Sequence, residues 1–266
     1  MKRALILIAV GSFIVSANAQ NVLTRKEIYR VNCKAIVQIS VNGRFSGVGF
    51  IVSADGFVMT ANHVITTRES KLREYVTDIK VAVFGRPIPY AAKPVTSRVS
   101  DDQANYDSTL IKIEAANLPK VTLGDLAEVD IGDSVTIIPS FPGVGCILLD
   151  GTIAAMGPYQ TAFGPKPVNT VFFQSPIRNG FSGSPVFDPR GHVVGIEDTK
   201  VFGISPVLDE LRTKWMERRK QVSVTIGGVD VSGSFLELIN NLDQNLISGL
   251  GSGVDISYAK EQNEKK

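Results

Sequence analysis

The sequence holds two histidines, His63 and His192, and that scarcity narrows where base chemistry could sit. A serine- or cysteine-based hydrolase needs one imidazole as general base, close to its nucleophile. His192 stands beside the turn Pro189-Arg190-Gly191, where a polar residue needs no functional explanation. His63 follows Phe57-Val58-Met59-Thr60-Ala61-Asn62 and precedes Val64-Ile65, so it lies where an apolar strand ends. A lone histidine is more often structural than catalytic; the second signal is Gly180-Phe181-Ser182-Gly183-Ser184-Pro185. Glycine on both sides of a serine lets the backbone turn sharply, so that the hydroxyl projects and amide N–H groups converge. Such convergence can hold the oxyanion of a tetrahedral intermediate. A Gly-Ser turn alone is common in ordinary loops, and its weight here comes from the pairing with His63.

The elements that must position these residues read as strand after strand. Ile36–Val41 meets the Asn42-Gly43 turn, Gly47–Ser53 runs into Ala54-Asp55-Gly56, and Phe57–Thr60 returns as a partner. Val81–Phe84, Ser108–Ile113 and Asp133–Ile138 have the same character, and Ser184–Asp188 and His192–Ile196 flank Pro189-Arg190-Gly191. Many short strands at near-regular spacing favour a barrel or sandwich. Pro206–Lys220 reads as a core-packing helix with Leu208, Leu211 and Trp215 along one face. A hairpin around Gly227-Gly228 follows within Val222–Val231, and Phe235, Leu238, Ile239, Leu242 and Leu246 then recur at helical spacing. The last ten residues, rich in Lys and Glu, read as disordered.

Residues 1–19 read as a signal peptide: Lys2 and Arg3, the apolar run Ala4–Val15, then Ala17-Asn18-Ala19 for cleavage. The apolar run falls short of the ~20 residues that span a bilayer, so no stable membrane insertion is expected after cleavage. The protein is therefore expected to be exported, periplasmic or secreted. Of 266 residues, 28 are basic and 26 acidic, and this near balance gives no nucleic-acid footprint. Export permits a disulfide between Cys33 and Cys146, with two free thiols at least as consistent with the sequence. No metal or cofactor is expected.

With these motifs in hand, the chain resembles trypsin-like serine proteases. Thr60-Ala61-Asn62-His63 is similar to the segment around the family's base histidine, and Tyr106–Ile113 to its aspartate with the following strand. Gly180–Pro185 is similar to its nucleophile loop, and the order His, Asp, Ser is the family's own. Gly47–Ser53, Ile131–Val135 and Ser140–Gly143 further resemble bacterial Deg/high-temperature-requirement proteases. The resemblance covers roughly residues 30 to 210. It implies an all-β protein of two six-stranded antiparallel barrels, with the site in the cleft between them and a C-terminal helix. The expected division is 20–125 for the first barrel, 126–220 for the second with its helix, and 221–266 for a short appendage, too small for the PDZ domain that often follows. It also implies a catalytic triad of His63, Asp107 and Ser182, an oxyanion hole from the amides of Gly180 and Ser182, and a protein or peptide substrate. Asp101 and Asp102 compete with Asp107, which is preferred because its strand context matches.

Three departures matter. Ser184 replaces the family's second glycine, and Val64 replaces a cysteine common after the histidine in secreted animal relatives. Phe181 stands where digestive relatives carry an aspartate that pairs with a new N-terminus, so activation of that kind is excluded. The primary pocket is expected near Gln174–Asn179 and Asp198–Val201, with preference for a small or medium apolar side chain. A catalytically silent, peptide- or partner-binding module is the competing reading, and intact His63, Asp107 and Ser182 argue against it. An α/β-hydrolase esterase is a poor fit, because position 184 is Ser and the only later histidine is ten residues beyond Ser182. Whether the chain forms a homo-oligomer is left open by the sequence.

Overall fold

The computed structural model describes residues 22–67, 74–161, 164–200, 206–219, 224–245 and 248–264. The expected signal peptide, Val201, Lys220 and Leu246 lie outside them, as do the side chains of Leu208 and Leu242.

The chain opens with helix α1 (Arg25–Asn32), started by a capping box in which Thr24 and Glu27 satisfy each other's exposed amides. Six strands follow: β1 (Ile36–Val41), β2 (Arg44–Ile51), β3 (Phe57–Ala61), β4 (Ile79–Val83), β5 (Tyr90–Pro94) and, after the short helix α2 (Asp101–Asn105), β6 (Ser108–Ile113). They close as an antiparallel barrel in the order β1-β2-β3-β6-β5-β4. Closure leaves no unpaired edge, and Val37, Ile39, Val48, Phe50, Val58 and Ile111 are all fully buried.

After the two-residue strand β7 (Thr122–Leu123) come β8 (Ser134–Ile137), the small ladder of β9 (Ser140–Phe141) with β10 (Gly145–Cys146), then β11 (Leu149–Tyr159), β12 (Val168–Ile177), β13 (Pro185–Phe187) and β14 (His192–Lys200). Beyond β14 lie helix α3 (Pro206–Arg219), the hairpin β15 (Thr225–Ile226) and β16 (Val229–Asp230), helix α4 (Val231–Asn245), strand β17 (Ser248–Asp255) and helix α5 (Ser257–Glu264). The second barrel runs β13-β8-β11-β12-β17-β14 and closes through β13 on β14, while β7 adds to β14 in parallel. Two six-stranded antiparallel barrels are thus present, as the sequence implied.

The tail is where expectation and structure part. Residues 221–266 are not an appendage, because β17 lies between β12 and β14 and completes the second barrel. Helix α3 is not the C-terminal helix; it belongs to an excursion of the chain that leaves β14 and returns through β17. The physical reason is close packing. A Cβ on Gly251 would stand 2.6 Å from Ile177 and 2.7 Å from the Phe173 ring, so the strand needs the glycines that disguise it. The segment expected to be disordered instead forms α5. Within the excursion, Trp215 of α3 packs on Phe235 of α4 at 4.8 Å and donates to the Ser232 carbonyl, while Leu236 and Ile239 are buried and Leu238 is exposed.

The two barrels are tied together across their cleft. The Val48 amide donates to the Ser182 carbonyl at 2.9 Å, and Gln38 reaches Ser140 at 2.9 Å. Helix α1 bridges outside, where the Leu23 amide bonds the Pro189 carbonyl and Ile28 packs beside Gly191. Cys33 and Cys146 are free and adjacent: the Cys146 thiol donates to the Cys33 carbonyl at 3.2 Å, and burial pushes it up to about 11. Among the described residues, no helix is long and apolar enough to cross a membrane.

Truncation after Asn245 is expected to destroy the second barrel, since β12 and β14 would each lose a ladder and expose apolar surface. Far-UV circular dichroism and thermal melting check this; a cooperative transition close to that of the full chain would contradict the role of β17.

Candidate active site

His63 sits on a single 3-10 turn (Asn62–Val64) that ends β3. Asp107 sits at the start of β6, the strand paired with β3, so the sheet ladder itself brings the two residues together. Asp107 adopts φ 39°, a left-handed conformation that Asp tolerates better than most residues. There its carbonyl accepts from the Asn62 amide at 2.8 Å, and its Oδ1 accepts from the His63 amide at 2.9 Å. Its Oδ2 lies 2.5 Å from His63 Nδ1. Asp101 and Asp102, the rival carboxylates, are instead in the first turn of α2, where negative charge complements a helix N-terminus.

Ser182 arrives from the other barrel. Gly180 at φ 91° and Gly183 at φ 88° shape the turn around it. At Gly183 a side chain is excluded outright, because a Cβ would lie 2.0 Å from the Val48 carbonyl and 2.6 Å from Thr60 Oγ1. That close approach presses the Ser182 turn onto the β2–β3 hairpin that leads to His63. The turn is also tied to β14: Gly183 N–H donates to the Glu197 carbonyl, and Glu197 N–H to the Ser184 carbonyl, each at 2.8 Å. Phe181 N–H and Ser184 N–H are bonded within the turn. Ser184 is fully buried and gives its hydroxyl to the Phe181 carbonyl, which explains a serine at the departure position and removes it as a nucleophile. Phe181 is buried among Ile177, Val186 and Val194, so an apolar core contact occupies the place of an ion pair.

The Ser182 hydroxyl donates to the carbonyl of Asp198 at 3.3 Å. Asp198 is also the residue whose carboxyl lies 3.9 Å from His63 Nδ1. Sequence reading placed Asp198 on a pocket wall; the structure turns its side chain inward, onto Asp107. A detectable signal existed, since Glu197 and Asp198 are two acids in succession directly after the apolar run Val193–Ile196. Both are buried. His192, in contrast, begins β14, where Asp188 holds its amide at 2.8 Å, a structural setting.

The electrostatics follow from burial. Asp107 is pushed up to about 7 by desolvation, against hydrogen bonds from Asp198 and the amides of His63 and Asn62 that lower it. Glu197 is raised well above the usual carboxylate range by burial first and then by Asp198 and Asp107. His63, Asp107 and Asp198 offer ligand atoms within 4.8 Å of one another, the one group of this kind among the described residues. A zinc-like cation would hold such atoms about 2.0–2.2 Å from itself and hence ~3 Å apart. His63 Nδ1 and Asp107 Oδ2, at 2.5 Å, stand closer than two ligands of one such cation. A separate concavity lies between Tyr106, Tyr258 and Glu261. No histidine lines it.

The family model for the trypsin-like peptidase domain matches residues 47–196. A probable periplasmic serine endoprotease, DegP-like, of Pseudomonas putida is 32% identical over 158 residues, covering 59% of this chain and 29% of the relative. A protein of the same description from Halomonas elongata is 31% identical over 161 residues, covering 60% and 30%. The chain thus spans about a third or less of the length of these curated relatives. Among solved structures, an HtrA-type protease AlgW with a decapeptide superposes with a TM-score of 0.62 at 18% identity, over 91% of this chain and 67% of the other. The Rv3671c protease in an inactive form gives 0.58 at 15% identity, over 90% and 91%. With the double barrel, the His63–Asp107 contact and a family match over more than half its length, the chain belongs to the trypsin-like peptidase domain family.

Proposed function

We propose that this chain is a serine endopeptidase that cleaves peptide bonds through an acyl-enzyme, with Ser182 as nucleophile, His63 as general base and Asp107 as the carboxylate that orients it. The observation that carries the reading is the 2.5 Å contact between His63 Nδ1 and a fully buried Asp107. It fixes the imidazole with Nδ1–H toward Asp107 and leaves Nε2 to serve as base. Ser182 Oγ attacks the scissile carbonyl while His63 takes its proton and then delivers it to the leaving amine. The amides of Gly180 and Ser182 form the oxyanion hole in this reading. Loss of one such donor typically costs ~3 kcal/mol of barrier.

The substrate is a protein or peptide segment, and the protein works outside the cytoplasm. The periplasmic designation of its relatives and the signal-like N-terminus support this location. A preference for small or medium apolar side chains is supported by Asp198, whose carboxyl is committed to Asp107 and so cannot select a cationic side chain. A silent binding module is the weaker reading, since nothing about a binding surface requires a buried carboxylate on His63.

Ser182→Ala is expected to abolish covalent labelling by a serine-phosphonylating reagent and to cut peptide cleavage by ~10⁴-fold or more, with the thermal melt unchanged. Labelling that persists in this variant would remove Ser182 as the nucleophile.

The pH dependence follows from the His63–Asp107 pair, which titrates as a unit. Catalysis needs the neutral imidazole and the ionised carboxyl, so activity is present above the pair's titration and lost below it. With Asp107 pushed up to about 7 and an unperturbed histidine at ~6.5, kcat/KM is expected to fall on acidification through the neutral range. A rate flat from pH 5 to 8, with chemistry limiting, would contradict the pair as the base unit.

A further inference from the structure

Asp198 is the residue in the site that the triad leaves unexplained. Its carboxyl is buried, its Oδ1 has no hydrogen-bond partner, and it faces the back of the His63–Asp107 pair. An ionised carboxyl so placed would suffer both desolvation and repulsion from Asp107. The titratable groups around it are Asp107 and His63 from the first barrel and Glu197 on its own strand. Its neighbours on β17, Ser252 and Gly253, bring no charge.

We infer that Asp198 is a positioning residue for the proposed peptidase reaction: it keeps its own carboxyl proton and donates it to Asp107, holding Asp107 as the carboxylate that orients His63. The donor and acceptor follow from the partners. Asp107 is approached by the His63 amide and by His63 Nδ1, both of which donate, so it is the acceptor in the cluster. Carboxyl oxygens of Asp107 and Asp198 lie within 4.8 Å of each other; a hydrogen bond between the two acids needs one proton, and only Asp198 has none of these donors to lose by carrying it. The directions agree: burial and the neighbouring Asp107 raise Asp198 well above the usual carboxylate range, while the same hydrogen bond lowers Asp107. The backbone carbonyl of Asp198 meanwhile holds the Ser182 hydroxyl, so one residue contacts both the nucleophile and the orienting acid.

The arrangement has a consequence at high pH. When Asp198 loses its proton, two carboxylates face each other, the donor is gone and His63 is no longer held in place. A serine protease working this way shows an alkaline descent in kcat that belongs to Asp198. The amide of Asp198→Asn donates at every pH and keeps the shape; Asp198→Ala removes the donor.

The test is kcat and KM of the wild type, Asp198→Asn and Asp198→Ala on a cleavable peptide from pH 5 to 10, with the low-field NMR resonance of His63 Nδ1–H recorded on each protein. Asp198→Asn is expected within about threefold of the wild-type plateau, without the alkaline descent and with the resonance retained. Asp198→Ala is expected to lose on the order of tenfold or more in kcat with KM little changed, and to lose the resonance to solvent exchange. Asp198→Asn as impaired as Asp198→Ala would mean that negative charge, not a donated proton, is what matters, and would overturn the inference. So would Asp198→Ala matching the wild type, or an alkaline descent that survives in Asp198→Asn. The inference rests on the peptidase reading, but the two fail differently. A wild type that cleaves nothing sinks the peptidase reading, while the resonance still decides whether Asp198 orients His63 through Asp107.

Discussion

A carboxyl buried to zero exposure, Asp107, is the constraint around which the two barrels are arranged. An isolated buried carboxylate costs far more than a fold of this size can spare. The structure sets the His63 amide and the His63 ring against it and places the Asp198 carboxyl beside it. Each comes from a different requirement of the fold. The amide needs the 3-10 turn that ends β3, the ring needs the β3–β6 ladder, and Asp198 needs β14 of the opposite barrel. Disturbing any of these elements leaves a charge without a partner.

The close approach of the barrels follows from the same constraint. Gly183 allows the Ser182 turn to touch Val48 and Thr60, and Gly47 allows β2 to pass between Val64 and the Ser182 carbonyl. A Cβ at Gly47 would lie 2.7 Å from Val64 and 2.8 Å from that carbonyl. Ser46 fastens the strand to the histidine turn by donating to the Val64 carbonyl at 2.7 Å. The hydroxyl of Ser184 and the ring of Phe181 then support the turn from within. The departures from the family pattern are therefore accommodated by local packing rather than by a changed site.

How much of this was legible in the sequence depended on how local each signal is. His63, Ser182 and Asp107 sit in short motifs, each on or beside a strand with clear alternation, and β1, β6 and the turn at Pro189-Arg190-Gly191 were readable for the same reason. Strand β17 was not, because Gly249, Gly251 and Gly253 dilute its hydrophobic pattern and the α3–α4 excursion separates it from β14. Its glycines are demanded by Phe173 and Ile177 across the barrel, a contact that no local pattern reveals. Asp198 was read only as part of the expected pocket range; the two acids that follow Val193–Ile196 set it apart, yet its place beside Asp107 depends on where β14 meets the first barrel. The expected stripe was partly misleading: its Ile239 is buried, but its Leu238 is exposed, and Leu236, outside the stripe, is buried in its place.

The shared acid cluster also sets how folding responds to pH. A carboxyl raised in the folded state binds its proton more tightly there than in the unfolded chain. Its contribution is thus most favourable while it is protonated, and it is lost as pH rises from the ordinary carboxylate range toward the folded value. For Asp107 that window runs from 3.8 to about 7, and Glu197 and Asp198 act in the same direction. The direct measurement is the unfolding free energy of the Ser182→Ala protein, which cannot digest itself, by denaturant titration at several pH values between 5 and 7. The account predicts that stability falls as pH rises, by ~1.4 kcal/mol per pH unit for each extra proton held by the folded state. Stability that is flat or rises across this range would show that the buried acids are already ionised and fully compensated, and would contradict the shared-proton cluster.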